Sequence, residues 1–372
     1  MDSVDKRTRV GILLSSLADM GGAVRVAVSI ANRMQRDYAV TIFEVTDHDR
    51  LAFQLERAVQ VVPLRVQAER IRGRLGEMNK ALFSALQSHP TDVMLGIGCD
   101  DTFVALRPCR RAHVPMIFCD HGALVNQLDD RTTTFARRAC ARFSAKTVAL
   151  THQTADDYQR IFHTPAAKVC CIPNWVPDEL MKRPHTHDTA SRKILWAGRL
   201  DREKGVDHLV DIAARVLPNH PAWTWDVYGE AVLKTNDFDV EQAIRERGLE
   251  GRLVLRGRVD DMYDRYDGYA IGTLTSYREG LPLFLLEGKA CGLPLVSFDV
   301  DTGPRDIIED GKDGFLIKPY DCAAFAAALE KLMDDDALRA NMAAHARATA
   351  GAFSEDEVYA SWCALIAEVL KR

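Results

Sequence analysis

Short apolar runs recur along the whole chain, and between them lie longer stretches whose apolar residues repeat every three to four positions. A short apolar run is typical of a buried strand, and the longer spacing is typical of an amphipathic helix. The predicted strands span residues 9–14, 39–45, 59–64, 93–97, 116–119, 147–150 and 169–172, and then 193–197, 225–228, 253–255, 271–274 and 295–298. The predicted helices span residues 24–34, 65–86, 135–144, 151–158, 206–216, 238–247, 323–333 and 355–369, with a further helix beginning at Pro282. This alternation predicts an α/β protein with parallel sheets covered by helices on both faces.

A proline-rich stretch divides the pattern into two halves. Pro173, Pro177 and Pro184 interrupt both strand and helix spacing, as expected of a linker. The chain has 372 residues, so each half is long enough to bury its own core. We expect a first domain at residues 1–174, a linker at 175–191, a second domain at 192–352 and a final helical segment at 353–372.

Composition narrows the class of protein. The net charge of -5 does not favour a nucleic-acid binder, but residues 1–180 hold 23 Lys and Arg against 20 Asp and Glu, so the first half is the one expected to face an anionic acceptor or surface. The nine cysteines form no Cys-x-x-Cys pair, which favours a reduced, cytoplasmic protein. We find neither a signal-peptide core nor the roughly 20 consecutive apolar residues that a membrane span needs.

Residues 276–306 carry the most informative chemistry of the chain. A buried strand ends in a polar break containing Glu279 and Gly280, and a helix then begins at Pro282 and carries Glu287. The free N–H groups of the first helical turn form a site for an anion. A carboxylate beside that site is better suited to accept hydrogen bonds from hydroxyl groups attached to the anion. An anion with hydroxyl groups on both sides describes a sugar nucleotide.

A second charged loop follows the strand at 193–197. It reads Gly-Arg-Leu-Asp-Arg-Glu-Lys-Gly over residues 198–205, so Arg199 and Lys204 flank the turn into the next helix. Cations in this position can neutralise a diphosphate, and a guanidinium group can do so with two parallel hydrogen bonds.

Together these motifs resemble those of the retaining GT-B glycosyltransferases of family GT4. The matching features are Glu-x7-Glu from Glu279 to Glu287 with Gly-Leu-Pro after the first Glu, the Gly-Arg-Leu-x-x-x-Lys-Gly loop, and Gly-Phe-Leu at residues 314–316. In the first half, Gly21, Gly22, Ala23 and Arg25 match the family's Gly-Gly-Ala-Glu-Arg, although Val24 replaces its Glu. The run Ile172-Pro173-Asn174 resembles the family's hinge.

The resemblance implies a fold and a set of roles. The fold is GT-B: two Rossmann-like parallel-sheet domains face a central cleft, with an acceptor-binding first domain, a donor-binding second domain, and a C-terminal helix that crosses back to the first domain. Glu279 would lie at the donor sugar with His121 reaching it from the first domain, Arg199 and Lys204 would bind the diphosphate, and Glu287 would hold the ribose hydroxyls. The remaining candidates are Gly22, Gly280, Leu281, Pro282 and Leu283 around the phosphates and Arg258 and Val259 at the base.

The implied activity is transfer of a hexose or N-acetylhexosamine from a nucleotide sugar, with UDP as the expected nucleotide. The acceptor would be a hydroxyl of a glycan or lipid-linked molecule, as in polysaccharide, lipopolysaccharide or glycan-chain biosynthesis. No cofactor or metal is expected. The segments Asp47-His48-Asp49 and Asp299-Val300-Asp301 match the metal-binding Asp-x-Asp pattern, but we interpret both as chance matches.

Four alternatives remain open from the sequence. The protein could be a GDP-mannose-dependent mannosyltransferase, an epimerase using Asp100 and Asp101, a phosphorylase, or a non-catalytic partner subunit. A phosphorylase would need a lysine that holds pyridoxal phosphate, and nothing in the sequence marks Lys289 as that anchor. The arginines at 70, 72 and 74 in the predicted helix 65–86 fit either a solvated surface or peripheral contact with the inner membrane.

Overall fold

The computed structural model describes residues 7–47, 50–67, 71–185, 187–230, 238–259 and 262–371. The chain divides into two compact units. The first unit comprises Met1–Asn174 together with Val358–Arg372, and the second comprises Trp175–Glu357. The last helix of the chain therefore belongs mostly to the first unit, as the expected fold requires.

The first unit is built on a seven-stranded parallel sheet with the order β3-β2-β1-β4-β5-β6-β7. Its strands are β1 (Arg9–Leu14), β2 (Ala39–Glu44), β3 (Gln60–Pro63), β4 (Val93–Ile97), β5 (Met116–Asp120), β6 (Lys146–Ala149) and β7 (Val169–Cys171). Its helices before the linker are α1 (Gly22–Met34), α2 (Ile71–Ser88), α3 (Cys99–Arg111), α4 (Arg131–Phe143) and α5 (His152–Phe162). Strands β4 and β5 are buried along their whole length, which explains why they read as continuous apolar runs.

The second unit is built on a six-stranded parallel sheet with the order β10-β9-β8-β11-β12-β13. Its strands are β8 (Lys193–Ala197), β9 (Thr224–Tyr228), β10 (Leu253–Gly257), β11 (Ile271–Leu274), β12 (Leu295–Phe298) and β13 (Gly314–Ile317). Its helices are α6 (Asp178–Met181), α7 (Val206–Val216), α8 (Val240–Glu246), α9 (Leu283–Ala290), α10 (Pro304–Ile307), α11 (Cys322–Asp334) and α12 (Asp336–Thr349), and α13 (Glu355–Leu370) ends the chain. The predicted fold class, two Rossmann-like parallel sheets, is confirmed.

Both sheets have a topological switch point, where the strand order reverses. In the first unit it lies between β1 and β4, and in the second between β8 and β11. Loops at the carboxyl ends of two such strands diverge to opposite faces of the sheet and leave a crevice, which is where open α/β proteins bind ligands. The loops after β8 and β11 are the two charged loops that the sequence singles out.

Helix α3 was not predicted, because residues 99–111 contain Pro108 and several charged residues and lack a clear apolar stripe. The helix forms because Gly98, with φ of 82°, turns the chain sharply out of β4. Asp101 is buried there and forms an ion pair with Arg74 of α2. Helix α2 also begins later than expected, at Ile71, and Arg74 points toward this partner, so it does not belong to a solvated basic patch. Arg70 and the side chain of Arg72 lie outside the described residues.

The proline-rich stretch at residues 175–191 packs on the second unit. His185, which the sequence suggests is solvated, has a side chain only 1% exposed and pairs with Asp267. His187 Nε2 lies 3.0 Å from the carbonyl oxygen of Ala270. These contacts anchor the stretch to the strand that precedes the Glu279 loop.

Candidate active site

The loops after β8 and β11 are locked together by Gly205 and Thr275. Gly205 has φ of 67°, and a Cβ atom at this position would lie 1.9 Å from the carbonyl oxygen of Thr275. The Thr275 hydroxyl donates to the carbonyl oxygen of Gly205 over 2.9 Å and accepts from Trp196 Nε1 over 3.1 Å. Glycine is therefore required for close approach as well as for conformation, and the contact fixes the neighbouring residue, Lys204.

Lys204 and Glu279 form a well-defined ion pair across the switch point. Lys204 Nζ lies 2.7 Å from Glu279 Oε1, and the Ser276 hydroxyl donates to the same oxygen over 2.6 Å. The Thr302 hydroxyl donates to the backbone carbonyl of Glu279 over 2.6 Å. The Glu279 side chain is 6% exposed and that of Lys204 is 20% exposed. A solvated surface glutamate is thus excluded as the interpretation of Glu279.

Arg199 lies at the mouth of the same loop with its side chain 48% exposed. Its guanidinium is 3.2 Å from Asp201 and 3.4 Å from Glu203. Burial alone would raise the pKa of Glu203, but Arg278, with which it makes a 2.7 Å ion pair, and the charges of Arg199 and Lys204 hold that pKa below its ordinary value. Three cations, Arg199, Lys204 and Arg278, therefore surround an ionised Glu203, and Arg199 keeps access to solvent.

Residues 280–283 form the entry to α9. Pro282 is the N-cap residue, and the first helical residue is Leu283, one position later than the sequence indicates. No side chain caps this end of the helix. Gly303, with φ of 97°, passes so close that its Cβ would lie 2.8 Å from the Gly280 carbonyl oxygen. Gly303 therefore packs closely against the loop that leads into α9, and the macrodipole of α9 places partial positive charge at this end of the helix.

Glu287 lies in the second turn of α9 and is 3% exposed. Its Oε2 accepts a hydrogen bond from the Tyr266 hydroxyl over 2.7 Å, and the Tyr266 ring stacks on Phe284 at 6.2 Å between centroids. A buried carboxylate must be stabilised by such hydrogen bonds. The tyrosine hydrogen bond orients the Glu287 carboxylate within this buried environment.

His121 immediately follows β5 in the first unit. Its Nε2 is fully buried and has no hydrogen-bond partner among the described residues, and burial lowers the pKa of His121 to about 4. The preceding Asp120 pairs with buried Arg137, Nε to Oδ2 2.8 Å, and accepts from the Tyr158 hydroxyl over 2.6 Å. This network holds the strand end, and the neutral imidazole of His121 has an unused polar atom, which is unusual in a buried site.

The remaining predicted residues lie at strand or helix ends. Gly22 is the first residue of α1, after β1, and is exposed. The space beside Gly21 is open and its φ of -73° suits any residue, so a tight turn does not account for glycine there. Arg258 and Val259 follow β10 and are half-buried.

Sequence reasoning missed the residues that support the site. Ser276 and Thr302 bind Glu279, and Tyr266 binds Glu287. Ser276 lies three residues before Glu279, a spacing that could have indicated the contact. Thr302 and Tyr266 are far away in the chain and are brought in only by the fold.

Two rival chemistries concern Lys289 and the Asp-x-Asp strings. Lys289 is buried and forms an ion pair with Asp313, so its amine is not available to carry pyridoxal phosphate. Among the described residues, no three His, Cys, Asp or Glu side chains are grouped so that they could hold a metal ion. Asp299 pairs with Arg305 over 2.9 Å, whereas His48 and Asp49 lie outside the described residues.

The Gly205 contact leads to a prediction. We expect Gly205→Ala to lower the free energy of unfolding by about 1 to 3 kcal/mol more than Gly248→Ala, because it adds a steric overlap to the conformational strain. Gly248 is the matched control, since its φ of 64° is nearly the same but no atom lies within 4 Å of its Cβ position. Denaturant unfolding of both variants measures the difference. Equal losses would show that the approach to Thr275 imposes no constraint.

The buried imidazole of His121 leads to a second prediction. Its pKa falls from 6.5 to about 4 on folding, so between these pH values the unfolded state binds the extra proton, and stability decreases as pH falls through this range. We expect His121→Gln to make this decrease shallower when the denaturation midpoint is measured from pH 7 to pH 4. His152→Gln, at an exposed position, is the control. An unchanged pH dependence in His121→Gln would contradict the burial of the imidazole.

Comparison with known families identifies two matching models. The family model described as Glycosyl transferases group 1 matches residues 177–349. The model described as Glycosyltransferase Family 4 matches residues 20–180. The two matches meet in the proline-rich stretch, and together they cover the second sheet and every strand of the first sheet except β1.

The chain is also similar to individual proteins and to a solved structure. An exopolysaccharide phosphotransferase of Streptomyces coelicolor is 31% identical over 226 residues, which are 60% of this chain but only 23% of that protein. An α-1,4-N-acetyl-D-galactosaminyltransferase of Campylobacter jejuni, whose name gives an undecaprenol-diphosphate-linked acceptor, is 24% identical over 97% of this chain and 99% of its own. The structure of HepE from Anabaena in complex with UDP and glucose superposes with a TM-score of 0.84 at 20% identity, covering 97% of this chain and 100% of that one.

Proposed function

The chain belongs to the group 1, family 4 glycosyltransferases of the GT-B fold, and from this premise we propose that it moves a hexose or N-acetylhexosamine from a UDP-sugar to a hydroxyl of a glycan or lipid-linked acceptor, with retention of configuration. The observation that supports this proposal most strongly is the ion pair between Lys204 and Glu279, which joins the two loops at the switch point of the second sheet. The loops thus bring a cation and a hydrogen-bond acceptor to one place.

The diphosphate of the donor would bind at Lys204, Arg199 and the N-terminal end of α9. Negative charge develops on the leaving diphosphate as the sugar–oxygen bond breaks, and preorganised cations and amide dipoles stabilise such charge most effectively. Lys204 is held rigidly by Glu279 and Gly205, so it needs little reorganisation. Arg199 is half-exposed and can turn from Asp201 and Glu203 toward a ligand. These groups would supply positive charge to the diphosphate without a metal ion.

The two carboxylates would bind the two sugars of the donor. Glu279 would accept hydrogen bonds from hydroxyls of the transferred hexose, while Lys204 and Ser276 keep its orientation fixed. Glu287, held by Tyr266, would accept hydrogen bonds from the ribose hydroxyls.

The other predicted residues would contact the rest of the donor. The phosphates would be framed by Gly280, Leu281, Pro282 and Leu283, with Gly22 allowing close approach of the backbone. The base would be contacted by Arg258 and Val259. His121, neutral at pH 7, would hydrogen-bond to the sugar.

The reaction balances without an enzyme nucleophile. The bond between sugar C1 and the β-phosphate oxygen breaks, and the acceptor oxygen forms its bond to C1 on the same face of the sugar. The proton of the acceptor hydroxyl passes to the departing phosphate oxygen. The products are UDP and the extended glycoside with its original configuration.

We base the proposed donor and acceptor on the names of similar proteins. HepE is described in complex with UDP and glucose, and the Campylobacter enzyme is named for a polyprenyl-diphosphate-linked acceptor. An epimerase is less well supported, because Asp101 is buried and already paired with Arg74. A GDP-mannose donor is the second candidate, since Glu279 and Glu287 contact groups that UDP- and GDP-sugars share.

Nucleoside diphosphate release from a panel of UDP- and GDP-sugars, with and without a lipid-linked acceptor extract, tests this proposal. We expect acceptor-dependent UDP release that Arg199→Ala lowers and that Arg215→Ala, at an exposed arginine of α7, leaves unchanged. Release of GDP alone would favour the mannosyltransferase, and epimerised donor without release would overturn transfer. Product anomeric configuration by NMR tests retention.

A further inference from the structure

The outer face of α4 carries an unusual combination of side chains. Phe135 and Phe143 are 66% and 64% exposed, although large aromatic residues are normally buried. Arg138 and Arg142 lie between them in the chain and are also exposed. Since Phe135, Arg138 and Arg142 are separated by three and four positions, they lie on one side of the helix. Phe143 projects from a different side of α4, but it lines the same cavity as these three residues.

A cavity of about 540 Å³ lies beside this helix. Its walls combine apolar groups, including Phe162 and Pro165, with the cations Arg138, Arg142 and Lys168. None of the described residues that line it is acidic. Lys168 Nζ donates to the carbonyl oxygen of Arg142 over 2.8 Å, which keeps this cation at the C-terminal end of α4. We call Phe135, Arg138, Arg142, Phe143 and Lys168 the α4 face.

We propose that the α4 face docks on an anionic phospholipid bilayer. Exposed aromatic rings insert at the level of the lipid headgroups, and guanidinium groups bind lipid phosphates. An anionic bilayer surface therefore offers a binding partner to both the rings and the cations of the α4 face. No helix in the described part of the chain is long and apolar enough to cross a membrane. The charge of the surface selects anionic over zwitterionic lipid.

This surface differs from the one that the sequence indicates. The arginines near residue 72 suggest α2, but Arg74 is engaged by buried Asp101. The arginines of α4 lie beside exposed rings and a cation-lined cavity instead. Helices α2 to α5 each connect two strands in the same direction along the sheet, and because such crossovers are right-handed these helices lie on one face. Helix α1 connects β1 to β2 in the opposite direction, so it lies on the other face. The α1 side therefore offers control positions.

Sedimentation of the full chain with vesicles tests the proposal. One set is pure phosphatidylcholine and the other an equal mixture with phosphatidylglycerol. We expect binding to the mixture alone, and weaker binding at high salt. Arg138→Gln with Arg142→Gln should weaken it about 25-fold, at about fivefold for each cation, and Phe135→Ser with Phe143→Ser should also weaken it. The matched control is Arg36→Gln with Arg57→Gln, two exposed arginines at the other end of the sheet, which should bind as the parent does.

Several results would overturn the inference: no vesicle binding, equal binding to both vesicle types, or equal losses in the control. It would also be overturned if the parent were a dimer in solution that the Phe135→Ser and Phe143→Ser changes dissociate, because the face would then be occupied by a second copy. The inference is independent of the donor chemistry. Calorimetric binding of UDP by the α4 variants should equal that of the parent, so failure of docking and failure of the proposed reaction are distinguishable.

Discussion

Replacing Lys204 by Met is expected to lower kcat for sugar transfer by a factor of about 100 to 1,000, the range found when one preorganised group that stabilises developing negative charge is removed. Met keeps the length of the side chain but removes the charge that lies 2.7 Å from Glu279. The change also leaves the buried Glu279 carboxylate without its cation, so we expect a loss of about 1 to 3 kcal/mol in the free energy of unfolding. Steady-state kinetics and denaturant unfolding measure the two effects.

Two further variants separate catalysis from folding. Lys204→Met with Glu279→Gln removes both charges and should recover much of the stability while activity remains low. Lys312→Met is the control, because Lys312 also pairs with a glutamate, Glu309, but both side chains are about half exposed. We expect it to leave kcat and stability nearly unchanged. If the stable double variant regained activity, Lys204 would have only a structural role.

Replacing Glu287 by Gln is expected to raise the KM for the donor by a factor of about 10 to 150, equivalent to the roughly 1.5 to 3 kcal/mol contributed by hydrogen bonds to a charged group. The ribose does not react, so the lost contacts weaken ground state and transition state equally and kcat should stay the same. Tyr266→Phe removes only the hydrogen bond that orients Glu287, and about a two- to tenfold rise is expected. Initial rates over a range of donor concentrations measure both changes.

The control for Glu287 is Glu309→Gln. Glu309 is exposed and pairs with Lys312 and His345, away from the predicted ribose contact. It should leave KM and kcat unchanged. A fall in kcat with constant KM in Glu287→Gln would instead place this carboxylate at the reacting sugar.

The sheets could be predicted closely because their strands are buried on both faces. The runs at 93–97, 193–197, 271–274 and 295–298 coincide with β4, β8, β11 and β12 residue for residue. A strand covered by helices on both sides is mostly apolar, and that pattern is visible in a single sequence even where Lys193, Thr273 or Ser297 interrupts it. The helix at 206–216 was also predicted to the residue, since Gly205 marks its start.

The elements that were missed are those without such a signal. Helix α3 contains Pro108, which argues against a helix in the sequence, and α12 is rich in alanine, which gives little contrast between its faces. Strand β13, at Gly314–Ile317, is a partly buried edge strand whose residues were recognised only as a motif. Their positions depend on packing against distant parts of the chain, which periodicity does not report.

For the candidate site, the sequence indicates the charged residues and the fold supplies their neighbours. Arg199, Lys204, Glu279 and Glu287 stood out because of their spacing in loops that follow strands. That Lys204 pairs with Glu279, 75 positions away, depends on β8 and β11 being adjacent in the sheet. The roles of these residues stay predictions until a ligand is measured.

Calorimetric titration of UDP into the full chain, in EDTA and again with magnesium, tests the central claim most directly. If fixed cations and the α9 amide dipoles hold the diphosphate, UDP should bind with the same affinity in both buffers and more weakly to Lys204→Met. Binding of UDP or GDP that requires added magnesium or manganese, or no binding of either nucleotide, would contradict the account.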